Sequence, residues 1–222
     1  HDLQHYDQAK DEYGISDFDV TSYYPNLILK CGLIPIMSGN KGEEFIKAYQ
    51  AIYDQRVAAK KAGDKIVDKS LKISLNGTYG KLGSQYSAFY APDLMLAVTL
   101  TGQLNLLCVI DELTNIKGVT IVSANTDGIM VKYPRKVRDK IDKVFALNSK
   151  RTEFGWEETP YRTVALKDVN NYIVITESGK IKAKGLYASY GVLEMKNPTF
   201  QVCSDAAAQY LLDGTSPEKF IA

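Results

Sequence analysis

The feature that most constrains how this chain folds is a repeated change in the spacing of its apolar residues. Residues 14–20 have the pattern of a strand that runs into a turn, and residues 40–114 have the three- and four-residue spacing of helices. Strand-like spacing returns near Val119 and again after residue 163. Strands in several parts of the chain, together with a block of helices, predict an α+β fold with a small antiparallel sheet.

Glycines and capping residues divide the helical block. Pro25 suits the first turn of a short helix over residues 26–31, which Gly32 would end. Asn40 and Glu43 have the spacing of a capping box for a helix that reaches about residue 62.

Asp64 is a candidate cap for the next helix, and the turn at Gly63 makes the two helices a predicted hairpin. Residues 91–114 predict a long, mostly buried helix, because Leu104, Leu107 and their apolar neighbours fit the helical period.

The remaining strands follow from turn residues. A β-hairpin is expected between residues 119–124 and 129–133, because Asn125 and Gly128 suit a tight reversal. Two further strands are predicted over residues 163–176 and 180–187, and a helix over residues 204–212.

Composition excludes several classes of protein. The 222 residues carry 27 Lys and Arg against 26 Asp and Glu, so no global positive charge attracts nucleic acid. The three cysteines lie far apart, which argues against a disulfide framework or a zinc site and favours a reducing, cytoplasmic location. Polar residues interrupt the longest apolar stretch, residues 94–110, which excludes a membrane span and with it a membrane protein. Because the chain opens at His1, we expect it to be a piece of a longer protein.

The first segment that suggests chemistry contains Asp19, which ends a predicted strand just before a helix begins. Its carboxylate could hold a divalent cation, while the backbone N–H groups of Ser22 and Tyr23 face an anion along the helix axis. The alternative is an aspartate in a turn, followed by Ser22 as an ordinary helix cap.

The second segment is basic. Lys72, Asn76 and Tyr79 share one face of a predicted helix, and Arg56 and Lys60 share a face of the preceding helix. A hairpin could bring these faces together as a cationic clamp for a nucleoside triphosphate. The alternative is a solvated basic surface.

The third segment places Asp127 on the predicted hairpin turn. Taken alone it indicates only a good turn sequence. A carboxylate at a strand end, a basic helix and a second carboxylate on a hairpin, in this order, suit nucleotidyl transfer with two metal ions.

Together the three segments resemble motifs of the B-family DNA-dependent DNA polymerases. Motif A of that family, DxxSLYP, is similar to DVTSYYP from Asp19, and motif B, KxxxNSxYG, is similar to KISLNGTYG from Lys72. Motif C, YxDTDS, is similar to SANTDG, which contains Asp127. The order and approximate spacing are those of the family.

The resemblance implies a polymerase palm with a helical-hairpin fingers insertion, acting in DNA replication. It implies a nucleotidyltransferase that uses dNTPs, primer-template DNA and two Mg²⁺ ions, with Mn²⁺ as a substitute. Asp19 and Asp127 would hold the metals together with the Val20 carbonyl, and Ser22 and Tyr23 would bind the triphosphate through backbone N–H groups. Lys72 would join the two aspartates as a catalytic group.

Further roles follow from the same resemblance. Tyr24 would stack on the incoming sugar and exclude ribonucleotides. The phosphate-binding residues would be Arg56, Lys60, Lys72 and Asn76, and the residues facing the new base pair would be Tyr79 and Gly80.

Contacts with DNA are implied for residues near the end of the chain. Lys167 and Tyr172 occupy a weak match to the family's KKxY primer-binding element. Lys182 and Lys184, at alternate positions of one predicted strand with Lys180, could line the DNA backbone. The alternative is the wet face of an edge strand.

The sequence also departs from the family pattern. Asn125 replaces the first aspartate of motif C, both lysines of KKxY are missing, and Tyr23 and Gly77 replace the usual Leu and Ser. Because the two principal metal ligands are retained, we expect activity to survive.

The implied domains are palm over residues 1–40, fingers over 41–80, palm again over 81–192 and the start of a thumb over 193–222. The exonuclease and most of the thumb would lie elsewhere in a parent chain, and a compact fingers hairpin is often found in viral members. No function is indicated for residues 1–13.

Two other functions remain open. The loss of the motif C aspartate permits an inactive palm that serves as a DNA-binding or scaffold module, although scaffolding would need none of the retained motif residues. An RNA-dependent polymerase or reverse transcriptase is disfavoured by the KxxxNxxYG helix.

Overall fold

The computed structural model describes residues 5–32, 42–187 and 201–222. Within these residues the strands are β1 (His5–Gln8), β2 (Tyr13–Val20), β3 (Thr120–Ala124), β4 (Gly128–Pro134), β5 (Trp156–Asp168), β6 (Asn171–Thr176) and β7 (Ile181–Lys184). The helices are α1 (Tyr23–Lys30), α2 (Gly42–Ala62), α3 (Lys65–Leu82), α4 (Pro92–Thr114), α5 (Arg138–Thr152), α6 (Gln201–Asp213) and α7 (Pro217–Ile221). The predicted α+β class is confirmed.

The strands form one sheet in the order β3-β4-β2-β5-β6-β7, and β1 also pairs with β5. The pairs β2–β4, β3–β4, β5–β6 and β6–β7 are antiparallel. The chain divides into two compact units: unit 1 comprises His1–Asp19, Ile110–Val144 and Glu157–Ala222, and unit 2 comprises Val20–Val109 and Phe145–Trp156. The assignment to palm, fingers and thumb remains a prediction.

The side chains of unit 1 pack on both faces of the sheet. One face carries the buried cluster of Ile15, Met130, Tyr161, Val164, Leu166 and Val174. Because side chains alternate along a strand, Asp17 and Asp19 follow Ile15 on this same face. The opposite face carries Phe18 and Tyr133, and the Arg138 guanidinium at the start of α5 lies over both rings. The Arg138 side chain thus packs on the face of Phe18 and Tyr133, and the Asp17 and Asp19 carboxylates lie on the opposite face of the sheet.

Unit 2 contains the predicted helical hairpin. Asp64 caps α3, since its Oδ1 accepts hydrogen bonds from the backbone N–H groups of Ile66 and Val67 at 3.1 and 3.0 Å. The Tyr49 hydroxyl of α2 donates to the Leu75 carbonyl of α3 at 3.0 Å. The cap at Asp64 is therefore confirmed, whereas Asn40, expected to cap α2, lies outside the described residues.

Two helix predictions were wrong in part. Helix α1 begins at Tyr23, before the predicted start, because Ser22 already takes the N-cap position with a φ of 51°. Helix α4 is not mostly buried: Leu104 and Leu107 are 61% and 57% exposed, and Leu96 and Leu100 line the same exposed side. Val98, Leu106 and Val109 form its buried side.

Among the described residues, α4 is the one helix long and apolar enough to cross a membrane by length and composition. The interrupting polar residues therefore do not exclude a span on composition alone. These polar groups have partners inside the protein: the Gly102 carbonyl accepts from the Tyr23 hydroxyl at 2.6 Å, and Asn105 Nδ2 donates to the same hydroxyl at 3.1 Å. These contacts hold one side of α4 against Tyr23 of α1.

The strand predictions also needed correction. The predicted strand over residues 163–176 is the end of β5, a turn and all of β6. The side chain of Asp168 holds that turn, accepting from the Asn170 backbone N–H at 2.8 Å. The β3–β4 hairpin and helix α6 are confirmed within a few residues, whereas α5 was not predicted.

Candidate functional site

The carboxylate of Asp19 lies near the end of β2, opposite Gly128 at the start of β4. A Cβ placed on Gly128 would overlap Asp19 Oδ1 and would lie 3.2 Å from Asp19 Cγ and from the Phe18 carbonyl oxygen. The absence of a side chain at Gly128 therefore creates the space that the Asp19 carboxylate occupies.

Negative charge accumulates around Asp19. Burial raises the pKa of Asp19 from 3.8 to about 7, and the charges of Asp17 and Asp127 add to this shift, while Lys182 opposes it. Burial also raises the pKa of Asp17, against the hydrogen bond that the Tyr161 hydroxyl donates to Asp17 Oδ2 at 3.1 Å. A nearby cation would relieve the repulsion among these carboxylates.

Asp127 is held on the hairpin turn by Asn125. Asn125 Oδ1 accepts hydrogen bonds from the backbone N–H groups of Asp127 and Gly128 at 2.9 and 2.6 Å. The Asn125 backbone N–H donates to the Gly128 carbonyl at 3.0 Å, which closes the reversal. Asp127 itself is exposed. Asn125 therefore has a structural role that an amide oxygen fulfils without a negative charge.

A small pocket lies beside these carboxylates. Its lining includes Asp17, Asn125, Gly128 and Tyr172. The burial of Tyr172 and the negative charges of the nearby aspartates raise the pKa of its hydroxyl. Tyr172 therefore lies at the edge of the carboxylate cluster.

Two lysines of β7 lie over aromatic rings on this side of unit 1. Lys182 Nζ is 5.6 Å from the centre of the Tyr161 ring, and Lys184 Nζ is 5.9 Å from the centre of the Tyr172 ring. Lys167 is half-buried near the end of β5. Lys182 and Lys184 place positive charge along the edge strand β7 of a sheet whose interior strand β2 carries Asp17 and Asp19.

The donor set fits Mg²⁺, which takes oxygen ligands and is often held by one or two carboxylates together with substrate phosphates. Asp19 and Asp127 supply two such groups, and the negative charges of Asp17 and Asp127 contribute to the raised pKa of Asp19. Among the described residues, no three His, Cys, Asp or Glu side chains are grouped so that they could hold a metal by themselves. A cation here would therefore need ligands from a substrate or solvent.

A partly buried hydrogen-bond network in unit 2 includes Tyr23 at the start of α1. The Tyr23 hydroxyl binds Gly102 and Asn105, as described above, and Asn105 Oδ1 accepts from Asn148 Nδ2 at 2.8 Å. Asn148 Oδ1 in turn accepts from Trp156 Nε1 at 3.0 Å. This network holds Tyr23, and through the backbone it fixes the neighbouring Ser22 and Tyr24.

Tyr24 stacks on Tyr79 of α3, with ring centres 4.2 Å apart and an angle of 16° between the planes. The Tyr79 hydroxyl shares a hydrogen bond of 2.8 Å with Thr99 Oγ1, which also donates to the Met95 carbonyl. The Tyr24 ring therefore packs against the Tyr79 ring, which is itself hydrogen-bonded to Thr99 of α4.

The basic residues of the hairpin differ in their surroundings. The Arg56 side chain is only 11% exposed, and its Nε donates to Asp68 Oδ1 at 3.0 Å. Arg56 Nη1 donates to Ser22 Oγ at 2.7 Å. Lys60, Lys72 and Asn76 are exposed.

The structure thus brings the predicted residues together in two groups. Unit 1 contains Asp19, Asp127, Tyr172, Lys167, Lys182 and Lys184, and unit 2 contains Val20, Ser22, Tyr23, Tyr24, Arg56, Lys60, Lys72, Asn76, Tyr79 and Gly80. The roles assigned to them remain predictions.

Sequence reasoning missed several residues that complete these groups. Asp17 could have been found from the two-residue period of β2, which places it on the face of Asp19. Asp68 could have been found from its position one helical turn before Lys72. Tyr161 and Thr99 carry no signal in the sequence, because their contacts depend on tertiary packing.

Comparisons with known proteins identify the relatives of this chain. No protein-family model matches it. It is 28% identical over 142 residues to a protein named DNA polymerase beta of African swine fever virus, isolate Tick/Malawi/Lil 20-1/1983. This alignment covers 64% of this chain and 12% of the viral protein. It is 23% identical over 163 residues to DNA polymerase 1 of Sulfolobus acidocaldarius, covering 72% of this chain and 18% of that protein.

Among solved structures, the family B DNA polymerase of Pyrobaculum calidifontis superposes with a TM-score of 0.58 at 18% identity, over 80% of this chain and 28% of the archaeal chain. This likeness concerns the fold. The chain spans well under a third of the length of each of these proteins. From the sequence matches, the order of the motifs and the shared fold together, the chain is distantly homologous to the family B DNA polymerases.

Proposed function

We propose that this chain is the core of a template-directed DNA polymerase that transfers nucleotides from dNTPs to a primer 3′-hydroxyl. The observation that carries the proposal is the carboxylate cluster of unit 1, where Asp19 fits against Gly128 and where burial, together with the charges of Asp17 and Asp127, raises its pKa. Ionising these carboxylates together is costly unless a cation binds there. The distant relationship to DNA polymerases supports the same conclusion.

Each group of residues has a separate task in this proposal. Asp19 and Asp127 would hold two Mg²⁺ ions, or Mn²⁺ in their place, with the Val20 carbonyl as a further ligand. Such ions would supply Lewis acidity at the primer hydroxyl and neutralise charge on the pyrophosphate leaving group. Lys72 is the catalytic group that neutralises charge on the transferred phosphate.

The nucleotide is bound and oriented by unit 2. The backbone N–H groups of Ser22 and Tyr23 begin a helix, where the helix dipole favours an anion. Arg56, Lys60, Lys72 and Asn76 bind the phosphates. Tyr24 excludes a 2′-hydroxyl, and Tyr79 with Gly80 faces the new base pair.

Primer-template DNA is the second substrate. Tyr172 and Lys167 contact the primer strand, and Lys182 and Lys184 bind the DNA backbone with an affinity that falls as salt rises. The two lysines also contact aromatic rings, which orients their amines on one side of the sheet. An intracellular location remains part of this proposal.

The test is primer extension on a recessed DNA duplex with Mg²⁺ and dNTPs, using this chain and a longer chain that contains it. Extension should occur, and Asp127→Asn should abolish it while leaving the melting temperature and DNA affinity within experimental error. Exposed Asp11, outside both groups, provides the control Asp11→Asn, which should extend normally.

DNA binding without extension in either chain would contradict the proposal and would favour the inactive palm that serves as a DNA-binding or scaffold module. Extension that survives Asp127→Asn would instead contradict the assigned metal ligands.

A further inference from the structure

The guanidinium of Arg56 connects three parts of unit 2. Arg56 lies in α2, its Nε donates to Asp68 of α3 at 3.0 Å, and its Nη1 donates to Ser22 Oγ before α1 at 2.7 Å. The side chains of Arg56 and Asp68 are 11% and 26% exposed, so the ion pair is largely shielded from solvent. Arg56 is therefore held in one orientation rather than moving in water.

Ser22 is used in an unusual way for a residue at a helix N-cap. An N-cap serine normally accepts a hydrogen bond from the second or third backbone N–H of its helix. Ser22 has a left-handed backbone conformation, with φ 51° and ψ 50°, and makes no such side-chain cap. Its hydroxyl oxygen accepts from Arg56 instead, so the first N–H groups of α1 are not capped by this side chain.

The geometry of the guanidinium group determines what Asp68 does. Arginine has five N–H donors in a rigid planar fork. Asp68 binds the Nε–H on one edge of this fork, and the terminal nitrogen Nη1 reaches Ser22. Ser22 stands at the helix start where a phosphate would bind.

We propose that Asp68 is a positioning residue for the triphosphate: by holding Arg56 Nε, it directs the outer guanidinium N–H groups to the N-terminus of α1. This inference rests on the proposed function, since it assumes that a nucleoside triphosphate binds at Ser22 and Tyr23. Asp68 itself does not touch the nucleotide. Asp68 orders the Arg56 side chain before the nucleotide binds, so this side chain loses less conformational entropy on binding.

Two effects of Asp68 have opposite signs, which makes the inference testable. As a nearby negative charge, Asp68 repels a triphosphate, so its removal would tighten binding if charge alone mattered. Because Asp68 also orients Arg56, removing Asp68 should weaken triphosphate binding. We expect positioning to dominate, because the ion pair fixes the donor that faces the anion.

The experiment measures binding of Mg²⁺-dATP and of inorganic tripolyphosphate to the full chain by calorimetry, together with KM and kcat for dATP in primer extension. Asp68→Ala should weaken both ligands about tenfold and raise KM by a similar factor, with kcat changed less than about threefold. Asp68→Asn keeps an acceptor for Arg56 Nε and should lie between wild type and Asp68→Ala. The melting temperature of each variant controls for folding.

A double-mutant cycle shows whether Asp68 acts through Arg56. Asp68→Ala should have no further effect on triphosphate binding when Arg56 is already alanine. The matched control is Asp54→Ala on α2, because Asp54 accepts a hydrogen bond only from the exposed Gln50 among the contacts described. This control should bind both ligands as wild type does.

Each outcome has a distinct meaning. Unchanged or tighter binding in Asp68→Ala, or equal losses in the Arg56→Ala background, would overturn the role of Asp68 and leave the proposed function intact. Normal triphosphate binding without primer extension would contradict the proposed function alone. A wild-type chain that binds neither dATP nor tripolyphosphate would overturn both.

Discussion

Replacing Gly128 with alanine tests whether the position of the Asp19 carboxylate matters. The added methyl group would overlap Asp19 Oδ1 and would lie 3.2 Å from the Phe18 carbonyl oxygen. Heavy atoms essentially never approach a Cβ closer than 3.0 Å, so the carboxylate must move. We expect a displacement of about 1 Å, which at a reacting centre typically costs about 100-fold in rate.

The expected cost in stability is much smaller. The short Asp19 side chain can rotate away, and the remaining tight contact with the Phe18 carbonyl should cost about 1 kcal/mol in the free energy of unfolding. Loss of activity with a nearly normal fold would therefore separate the position of the carboxylate from the stability of the sheet.

The assay combines single-turnover primer extension with Mn²⁺ binding measured by electron paramagnetic resonance. Gly128→Ala should lower the rate about 100-fold and weaken Mn²⁺ binding. Gly77→Ala is the matched control, because a Cβ at Gly77 meets no atom within 4 Å. A Gly128→Ala protein with normal rate and normal Mn²⁺ affinity would refute the reasoning.

Three further predictions concern single side chains. Tyr24→Ala should admit ribonucleotides, measured as the ratio of dNTP to rNTP incorporation, and unchanged discrimination would exclude Tyr24 as the sugar gate. Asp64→Ala removes the cap of α3 and should lower the free energy of unfolding by about 1 kcal/mol in urea denaturation, with no loss if the cap is unimportant. The pKa of Asp19 is raised from 3.8 to about 7, so the metal-free folded chain favours the protonated acid, and stability should fall as pH rises from about 4 to 7. Asp19→Asn should therefore melt higher than wild type at pH 8 and similarly at pH 4, in melting curves without metal; equal pH dependence in the two proteins would contradict this.

The parts of the fold predicted correctly are those with strong local signals. Asp64 caps α3 as expected because an aspartate after Gly63 competes well for the first helical N–H groups. The β3–β4 hairpin was predictable because Asn125 and Gly128 have the turn preferences that the structure uses.

The errors in α4 and β5–β6 have different physical causes. Helix α4 has leucines on several sides, so the apolar period cannot show that Leu104 and Leu107 lie on the exposed one. The β5–β6 turn is formed by Val169 and Asn170 between two runs of strand-forming residues, and it is held by the Asp168 side chain, which accepts from the Asn170 backbone N–H.

The sequence proposes a set of candidate site residues but not their arrangement. Motif order and spacing predict Asp19, Asp127 and Arg56 because the proposed chemistry needs those residue types, and their roles remain predictions. Motif spacing does not show that Arg56 pairs with Asp68 across the α2–α3 hairpin, or that Tyr161 donates to Asp17, because both contacts depend on how the elements pack against each other.

The most direct test of template-directed synthesis is single-nucleotide incorporation on four primer-templates that differ only in the templating base. Each duplex is supplied with one dNTP at a time in Mg²⁺, and Asp19→Asn is run in parallel. The expected result is extension only with the complementary dNTP on each template, and none with Asp19→Asn. Extension that ignores the templating base, or that persists in Asp19→Asn, would contradict a template-directed polymerase built on this carboxylate.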